Sequence, residues 1–221
     1  MPKLSLAAEK NNRDEIMNQV IQPELLVQAY KNIATSTIGH VLDLGHVPQI
    51  FPMSPQQHLV GLVRTVRLQS KNASQLRQVL LSCQPNEVLL IDARYDLQRA
   101  CWGEQRSVAA IHCGLAGVVV LGAVTDRQAL LQLKLPVFAQ SVSCLTTRNE
   151  GESLVEMDIG IEFNQFTVQS GDLLIGDADG VFILKPDMAA AYLEQFQQQE
   201  QAEKDRKNNF FKQERKEDYY F

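Results

Sequence analysis

The sequence has no surplus of basic residues, no long apolar run, no Cys-x-x-Cys pair and no internal repeat. Its 221 residues hold 21 Lys and Arg against 26 Asp and Glu, a formal net charge of −5. That balance argues against nucleic-acid binding through phosphates, which needs a basic face. A basic protein surface stays open as a partner. No apolar stretch approaches the ~20 residues of a membrane span. The opening MPKLSLAAEKNNRDE lacks the apolar core of a signal peptide, so no export by that route is expected. The four cysteines, Cys83, Cys101, Cys113 and Cys144, have no histidine cluster near them. Reduced, mostly buried thiols in a cytoplasmic protein are expected, and a structural zinc site is not.

Apolar residues make up 45% and charged residues 21%, enough for one sizeable core. Residues 1–22 are polar. From Pro23, PELLVQAYKNIATSTIGHVLDLG has helical periodicity with a break, and a hydroxyl of Thr35, Ser36 or Thr37 is expected to cap its second helix. The three prolines of VPQIFPMSP make an extended connection. HLVGLVRTVRLQS alternates as a strand. ASQLRQVLLSCQPNE reads as a helix opened by Ser74, VLLIDARYD as a strand, and RACWGEQRSVAAIHCGL as a helix ending at Gly114. AGVVVLGAV is wholly apolar, a strand covered on both faces. DRQALLQLKL is a helix and PVFAQSV a strand. The stretch from SLVEMDIGIEF to GVFILKP is β-rich, with turns at SGD and DADG. From Pro186 a long helix follows, and its last twenty residues mix both charges with Phe210, Phe211, Tyr219 and Tyr220. That composition fits either a solvated tail or a helix that docks on a neighbour.

The chemistry gathers in two loops at the carboxyl ends of consecutive parallel strands, where α/β units place ligands. The first, DARYDLQRACWGEQR, offers Asp92, Asp96, Gly103, Glu104, Arg94, Arg99 and Arg106. The second, LGAVTDRQ, offers Asp126 and Arg127. If a helix starts there, main-chain N–H groups from Gly103 to Arg106 cradle a carboxylate. Asp126 has two readings: a helix N-cap, the commoner use of Asp after a strand, or an oxygen ligand for a hard divalent cation. Trp102 reads as core, Glu104 as an exposed helix residue, His112 as packed, and Asp177 and Asp179 as hairpin-turn residues.

RACWGEQRSVAAIHCGLAGVVVLGAVTDRQAL, LPVFAQSVS and SGDLLIGDADGVFIL, in that order, resemble the RraA-like family. That family includes class II 4-hydroxy-4-methyl-2-oxoglutarate aldolases, which also decarboxylate oxaloacetate, and the regulator of ribonuclease activity A. The resemblance covers roughly residues 23–190. It implies an α/β fold, a swivelling β/β/α sandwich, as one domain with N-terminal helices and a long C-terminal helix. The implied division is a polar segment 1–22, a β/β/α domain 23–190 and a charged helix or tail 191–221. It implies homotrimers or hexamers, with the aldolase site between subunits. It places Mg²⁺ or Mn²⁺ on Asp126, substrate binding on Gly103, Glu104, Gln105, Arg106 and Thr125, and catalysis on Asp126 and Glu104.

The pattern departs at three positions. The aldolases' arginine just before the metal Asp falls on Thr125, Leu121 stands where D-G-A-V-R-D begins with an acid, and His40 stands where an acid is usual near the first helices. Arg127, Arg106 and Arg94 are the cations available to replace the lost charge. Two functions follow from the resemblance. One is a metal-dependent carbon–carbon lyase on a small 2-keto acid. The other is a non-catalytic regulator that binds a protein such as a ribonuclease, with the C-terminal helix as the contact. That regulator lacks the metal Asp that this chain keeps.

Overall fold

A computed structural model describes residues 22–54, 58–163 and 165–212. The polar segment 1–22, apart from Gln22, lies outside the described residues, as do Tyr219, Tyr220 and the side chain of Phe211.

The core of the molecule is a ten-stranded mixed sheet. Its centre is parallel: β3 (Leu59–Leu68), β4 (Glu87–Asp92), β6 (Gly117–Val124) and β7 (Val137–Val142). Beside β3 the sheet continues antiparallel through β11 (Leu173–Asp177) and β12 (Gly180–Leu184), and β1 (His46–Val47) forms that edge. At the other edge β2 (Phe51–Pro52) pairs with β7. Short β5 (Ala100–Trp102) lies parallel to the end of β6, and β8 (Val155–Met157) lies antiparallel to the end of β3. A separate hairpin joins β9 (Ile161–Glu162) to β10 (Thr167–Val168).

The all-apolar reading of AGVVVLGAV holds, and the reason is visible in the packing. Every residue of β6 is buried. With side chains alternating across the pleat, Val118, Val120 and Val124 pack under helices α3 (Leu76–Ser82), α4 (Glu104–His112) and α5 (Arg127–Leu130). Val119 and Leu121 face the opposite layer, with Ile161 and Val168 of the small hairpin. Strand β4 repeats the pattern, with Leu89 and Ile91 on one face and Val88 and Leu90 on the other. A third cluster packs α1 (Pro23–Tyr30), α2 (Thr35–Gly39) and α6 (Pro186–Lys212) against Leu173, Ile175, Phe182 and Leu184. Tyr30 donates its hydroxyl to Ala189 O at 2.7 Å, tying α1 to α6. Burial pushes that hydroxyl far above its usual pKa.

Helix α6 runs unbroken across residues 190 and 191. Its first half is anchored by Ala189 and by Phe196, which is fully buried against Tyr30. Beyond Glu200 it is almost wholly exposed as far as Phe210.

Three local expectations are corrected. RACWGEQRSVAAIHCGL is not one helix: its first three positions after Arg99 are strand β5, and the helix starts at Glu104. Those residues are drawn to the free edge that β6 offers beyond Leu121, where its pairing to β4 ends. DRQALLQLKL closes only one turn. The cap of α2 comes from no hydroxyl of its own: Asp177 accepts from Thr35 N at 2.7 Å and from Thr35 Oγ1 at 2.6 Å. Among the cysteines, all free, Cys83 and Cys101 are buried, Cys113 is partly buried and Cys144 is exposed.

Candidate active site around Asp126

The switch of partners along β6 builds the site. β4 pairs with β6 as far as Leu121, and β5 takes over from Ala123. This seats Trp102 beside Val124, and Thr125 N donates to Trp102 O at 2.8 Å. The chain after β6 then lies directly against the turn from β5 into α4.

Trp102 is core, as expected, but it also holds that turn. Its indole Nε1 donates to Ser107 Oγ at 2.8 Å, and Ser107 Oγ donates to Gly103 O at 2.9 Å, all of it buried. A buried N–H left without a partner costs about 1–3 kcal/mol, so this relay fixes where Gly103 sits. Gly103 is needed for space. Its backbone is extended, at φ −167, but a Cβ there would stand 2.5 Å from Asp126 Oδ2 and 2.7 Å from Thr125 Cγ2.

Asp126 turns out to be a cap, though for the neighbouring helix. It occupies the N-cap position of α5 and makes no side-chain cap bond there. Its Oδ2 instead accepts from Glu104 N, the first N–H of α4, at 3.0 Å. Its backbone is left-handed at φ 55, ψ 36, a conformation tolerated by Asp but carrying strain. The other oxygen, Oδ1, has only the Thr125 hydroxyl, at 3.5 Å. The side chain is exposed. One carboxylate oxygen is thus fixed by the helix N-terminus while the other is presented outward.

A cleft of about 260 Å³ opens there, lined by Trp102, Gly103, Gln105, Arg106, Thr125, Asp126, Thr146 and Thr147, together with Ala100. The structure therefore gathers Gly103, Gln105, Arg106, Thr125 and Asp126 at one opening. Glu104 is exposed at the start of α4. The N–H groups of Gln105 and Arg106 have no partner among the described residues, so the first turn of α4 retains two donors for an anion. Thr146 and Thr147 went unnoticed in the sequence. They follow β7, the next parallel strand, so the rule that ligands gather at the carboxyl ends of parallel strands points to them.

The three arginines separate. Arg106 turns inward, donating to Cys101 O and to Ala73 O, the latter at 3.1 Å, and burial lowers its pKa. Arg127 is exposed and does not line the cleft. Arg94 belongs to another place. It grips Asp92 through Nε and Nη2, both at 2.8 Å, and stacks over Phe163. It lines a separate cavity of about 440 Å³ with Leu121, Gln140 and His46. Burial alone would raise the Asp92 carboxyl. Hydrogen bonds and charge from Arg94, with a further bond from Arg67, outweigh that and hold it below its usual value. Of the other residues singled out, Asp96 pairs with Arg99 at 3.4 Å, and His112 is exposed rather than packed. Asp177 does shape its hairpin, accepting from Asp179 N at 3.0 Å, besides capping α2.

A divalent ion fits the donor set in a limited way. No group of three or more His, Cys, Asp or Glu side chains stands together among the described residues, so there is no all-protein cage. A single outward carboxylate suits a hard ion that keeps most of its waters and takes the rest of its shell from substrate.

The fold that carries this cleft is a known one. A family model described as RraA-like, Aldolase/RraA, matches residues 34–183, and the chain belongs to that family. It is similar to a protein of Halalkalibacterium halodurans provisionally named 4-hydroxy-4-methyl-2-oxoglutarate aldolase. The two are 29% identical over 160 residues, 72% of this chain and 75% of that one. A Thermus thermophilus protein named 4-hydroxy-4-methyl-2-oxoglutarate aldolase is 30% identical over 139 residues, 62% of this chain and 83% of its own. Among solved structures, the RNA-processing inhibitor RraA of Thermus superposes with a TM-score of 0.60 at 27% identity, covering 69% of this chain and 92% of that one. No helix among the described residues is long and apolar enough to cross a membrane.

Proposed function

We propose that the protein is a divalent-metal-dependent carbon–carbon lyase acting on a small 2-keto acid, with Asp126 as the protein ligand of Mg²⁺ or Mn²⁺. The observation that carries this reading is the state of Asp126: backbone-strained, fixed through one oxygen by Glu104 N–H, and exposed through the other. Capping α4 uses one carboxylate oxygen and leaves the other with only the Thr125 hydroxyl, at 3.5 Å. The names of the relatives support the class of reaction.

The residues divide the work as follows. Gln105 N–H and Arg106 N–H seat the substrate carboxylate at the first turn of α4. Gly103 keeps that turn close to Asp126, and the Trp102–Ser107 relay holds Gly103. Cleavage of a 4-hydroxy-2-keto acid breaks the bond between carbons 3 and 4. The proton leaves the 4-hydroxyl, the bonding pair stays on carbon 3, and reprotonation there releases pyruvate. Glu104, exposed at the start of α4, is the side chain proposed to exchange a proton with water. A bound divalent ion supplies electrophilic stabilisation of the charge that develops on the keto-acid oxygens.

A second reading has its own observation. Helix α6 extends about ten residues past the body with nearly every position exposed, and the Thermus RNA-processing inhibitor shares the fold at 27% identity. In that reading the protein regulates a partner by docking, with α6 in contact and no chemistry at Asp126. One experiment separates the two. Pyruvate release is measured with Mg²⁺ or Mn²⁺ from oxaloacetate, 4-hydroxy-4-methyl-2-oxoglutarate and 4-hydroxy-2-oxopentanoate. Wild type is expected to release pyruvate from at least one, and Asp126→Ala from none. A wild type inactive on all three, with either metal, sinks the lyase reading and leaves the regulator. Under both readings the protein works as a homotrimer or hexamer, inside the cytoplasm, without direct contact to nucleic acid.

A further inference from the structure

We propose that the Asp126 cleft selects keto acids that carry a single carboxylate and an uncharged, hydroxyl-bearing far end, and disfavours dicarboxylates. The inference rests on the lyase reading for the identity of the site. Its own warrant is the chemistry of the cleft wall.

That wall offers three threonine hydroxyls, Thr125, Thr146 and Thr147, and the amide of Gln105. Its one cation, Arg106, is turned onto the carbonyls of Cys101 and Ala73. Arg99 donates to Thr146 O and is paired with Asp96. Asp126 lines the cleft as an exposed carboxylate, while exposed Glu104 and Arg127, of opposite sign, lie outside the lining.

The charge balance decides the class. A divalent cation beside Asp126 leaves one positive charge, which one substrate carboxylate neutralises. The two free N–H groups of Gln105 and Arg106 provide hydrogen bonds for that carboxylate. A second carboxylate finds no cation in the cleft lining besides the inward-turned Arg106, and it meets the negative charge of Asp126 there. Transfer of an ionised group out of water without a partner is strongly unfavourable. Hydroxyls face the opposite situation. Threonine side chains donate and accept, so a hydroxylated, neutral tail exchanges its water for equivalent partners. Thr125 has a particular place: its Cγ2 packs against Gly103, and its hydroxyl points to Asp126 Oδ1 at 3.5 Å. It therefore sits between the metal ligand and the tail of the substrate.

The test is binding before turnover. Calorimetric titration of the full chain in saturating Mg²⁺ uses 2-oxobutanoate, with one carboxylate, and 2-oxoglutarate, with two. Neither has a 4-hydroxyl, so neither is cleaved by this route. The single-carboxylate acid is expected to bind about tenfold or more tighter, a difference of ~1.4 kcal/mol. Thr125→Arg is expected to reverse the order. Thr125→Val, which keeps the shape and removes the hydroxyl, is expected to raise the KM for 4-hydroxy-2-oxopentanoate severalfold, a larger loss than in its affinity for 2-oxobutanoate. Equal or tighter binding of 2-oxoglutarate by wild type overturns the selectivity and leaves the lyase reading standing. It would mean that a cation reaches the cleft from outside the described residues, a neighbouring copy included. Failure of both acids to bind in Mg²⁺ overturns the site assignment and the selectivity together.

Discussion

Replacing Gly103 with alanine adds one methyl group where the structure has no room for it. The new Cβ would lie 2.5 Å from Asp126 Oδ2 and 2.7 Å from Thr125 Cγ2, both inside the 3.0 Å that real Cβ atoms respect. Neither neighbour yields cheaply. Thr125 is β-branched and stiff about χ1, and its N–H is held by Trp102 O. Asp126 has a short side chain anchored at 3.0 Å to Glu104 N. Overpacking of this kind costs about 1–3 kcal/mol. Because the Gly103 backbone is extended, alanine adopts it freely, and stiffening the unfolded chain returns ~0.4–1 kcal/mol. The net is a loss of roughly 1–2 kcal/mol, a fall in Tm of about 2–8 °C for a domain of this size. The local effect is larger. Moving the carboxylate off Glu104 N–H removes the partner that orients a metal ligand, which weakens metal binding by about tenfold or more. Thermal melts and Mg²⁺ calorimetry on the Gly103→Ala variant measure both. A variant that melts with the wild type and binds Mg²⁺ equally would refute the claim that this close approach holds Asp126 in place.

Four further outcomes follow from other contacts. Ser107→Ala strands the buried Trp102 indole N–H and should cost about 1–3 kcal/mol, read by denaturant unfolding; Ser107→Thr, which restores a hydroxyl, should recover part of it. Phe196→Ala should destabilise by about 3–5 kcal/mol if the first half of α6 is part of the folded body, and unfolding at wild-type denaturant would deny that role. Asp92 is held below the ordinary carboxyl value of 3.8, so its contribution is complete above that pH and drains away as pH falls through the lower folded pKa. Asp92→Asn should therefore flatten the acid limb of the stability–pH curve, and an unchanged acid limb would show that the Arg94 and Arg67 contacts do not stabilise. Burial pushes the Cys83 thiol to about 11 and the Cys101 thiol to about 12, so iodoacetamide at neutral pH should label exposed Cys144 first and spare those two until the protein unfolds.

The local pattern fixed a good deal. The apolar runs of β4 and β6 read as strands, and the one in β6 as a strand covered on both sides, because it leaves no polar position for water. The alternation of β3 and a long helix starting at Pro186 were equally plain. The glycine and aspartate of DADG announced a hairpin, and the order of motifs named the family. At the site, the resemblance marked Gly103, Glu104, Gln105, Arg106, Thr125 and Asp126 as a group, and all of them but Glu104 line one cleft.

Tertiary structure decided the rest, for physical reasons that act across the chain. Ala100 to Trp102 became a strand because β6 had a vacant edge beyond Leu121, a vacancy created by where β4 stops. Thr35 lost its capping role to Asp177, and Ala34 N gained a cap from Glu200, 166 residues away. No window of local sequence contains such pairs. Arg94 and Arg106 looked like replacements for a missing charge, but Asp92 and the carbonyls of Cys101 and Ala73 claim them first, since buried polar groups take whichever partner the fold sets beside them. Asp126 shows the division most clearly. From the sequence alone it was an aspartate after a strand, a cap or a ligand. The fold made it the cap of a helix that begins 22 residues earlier, and left its second oxygen facing the cleft.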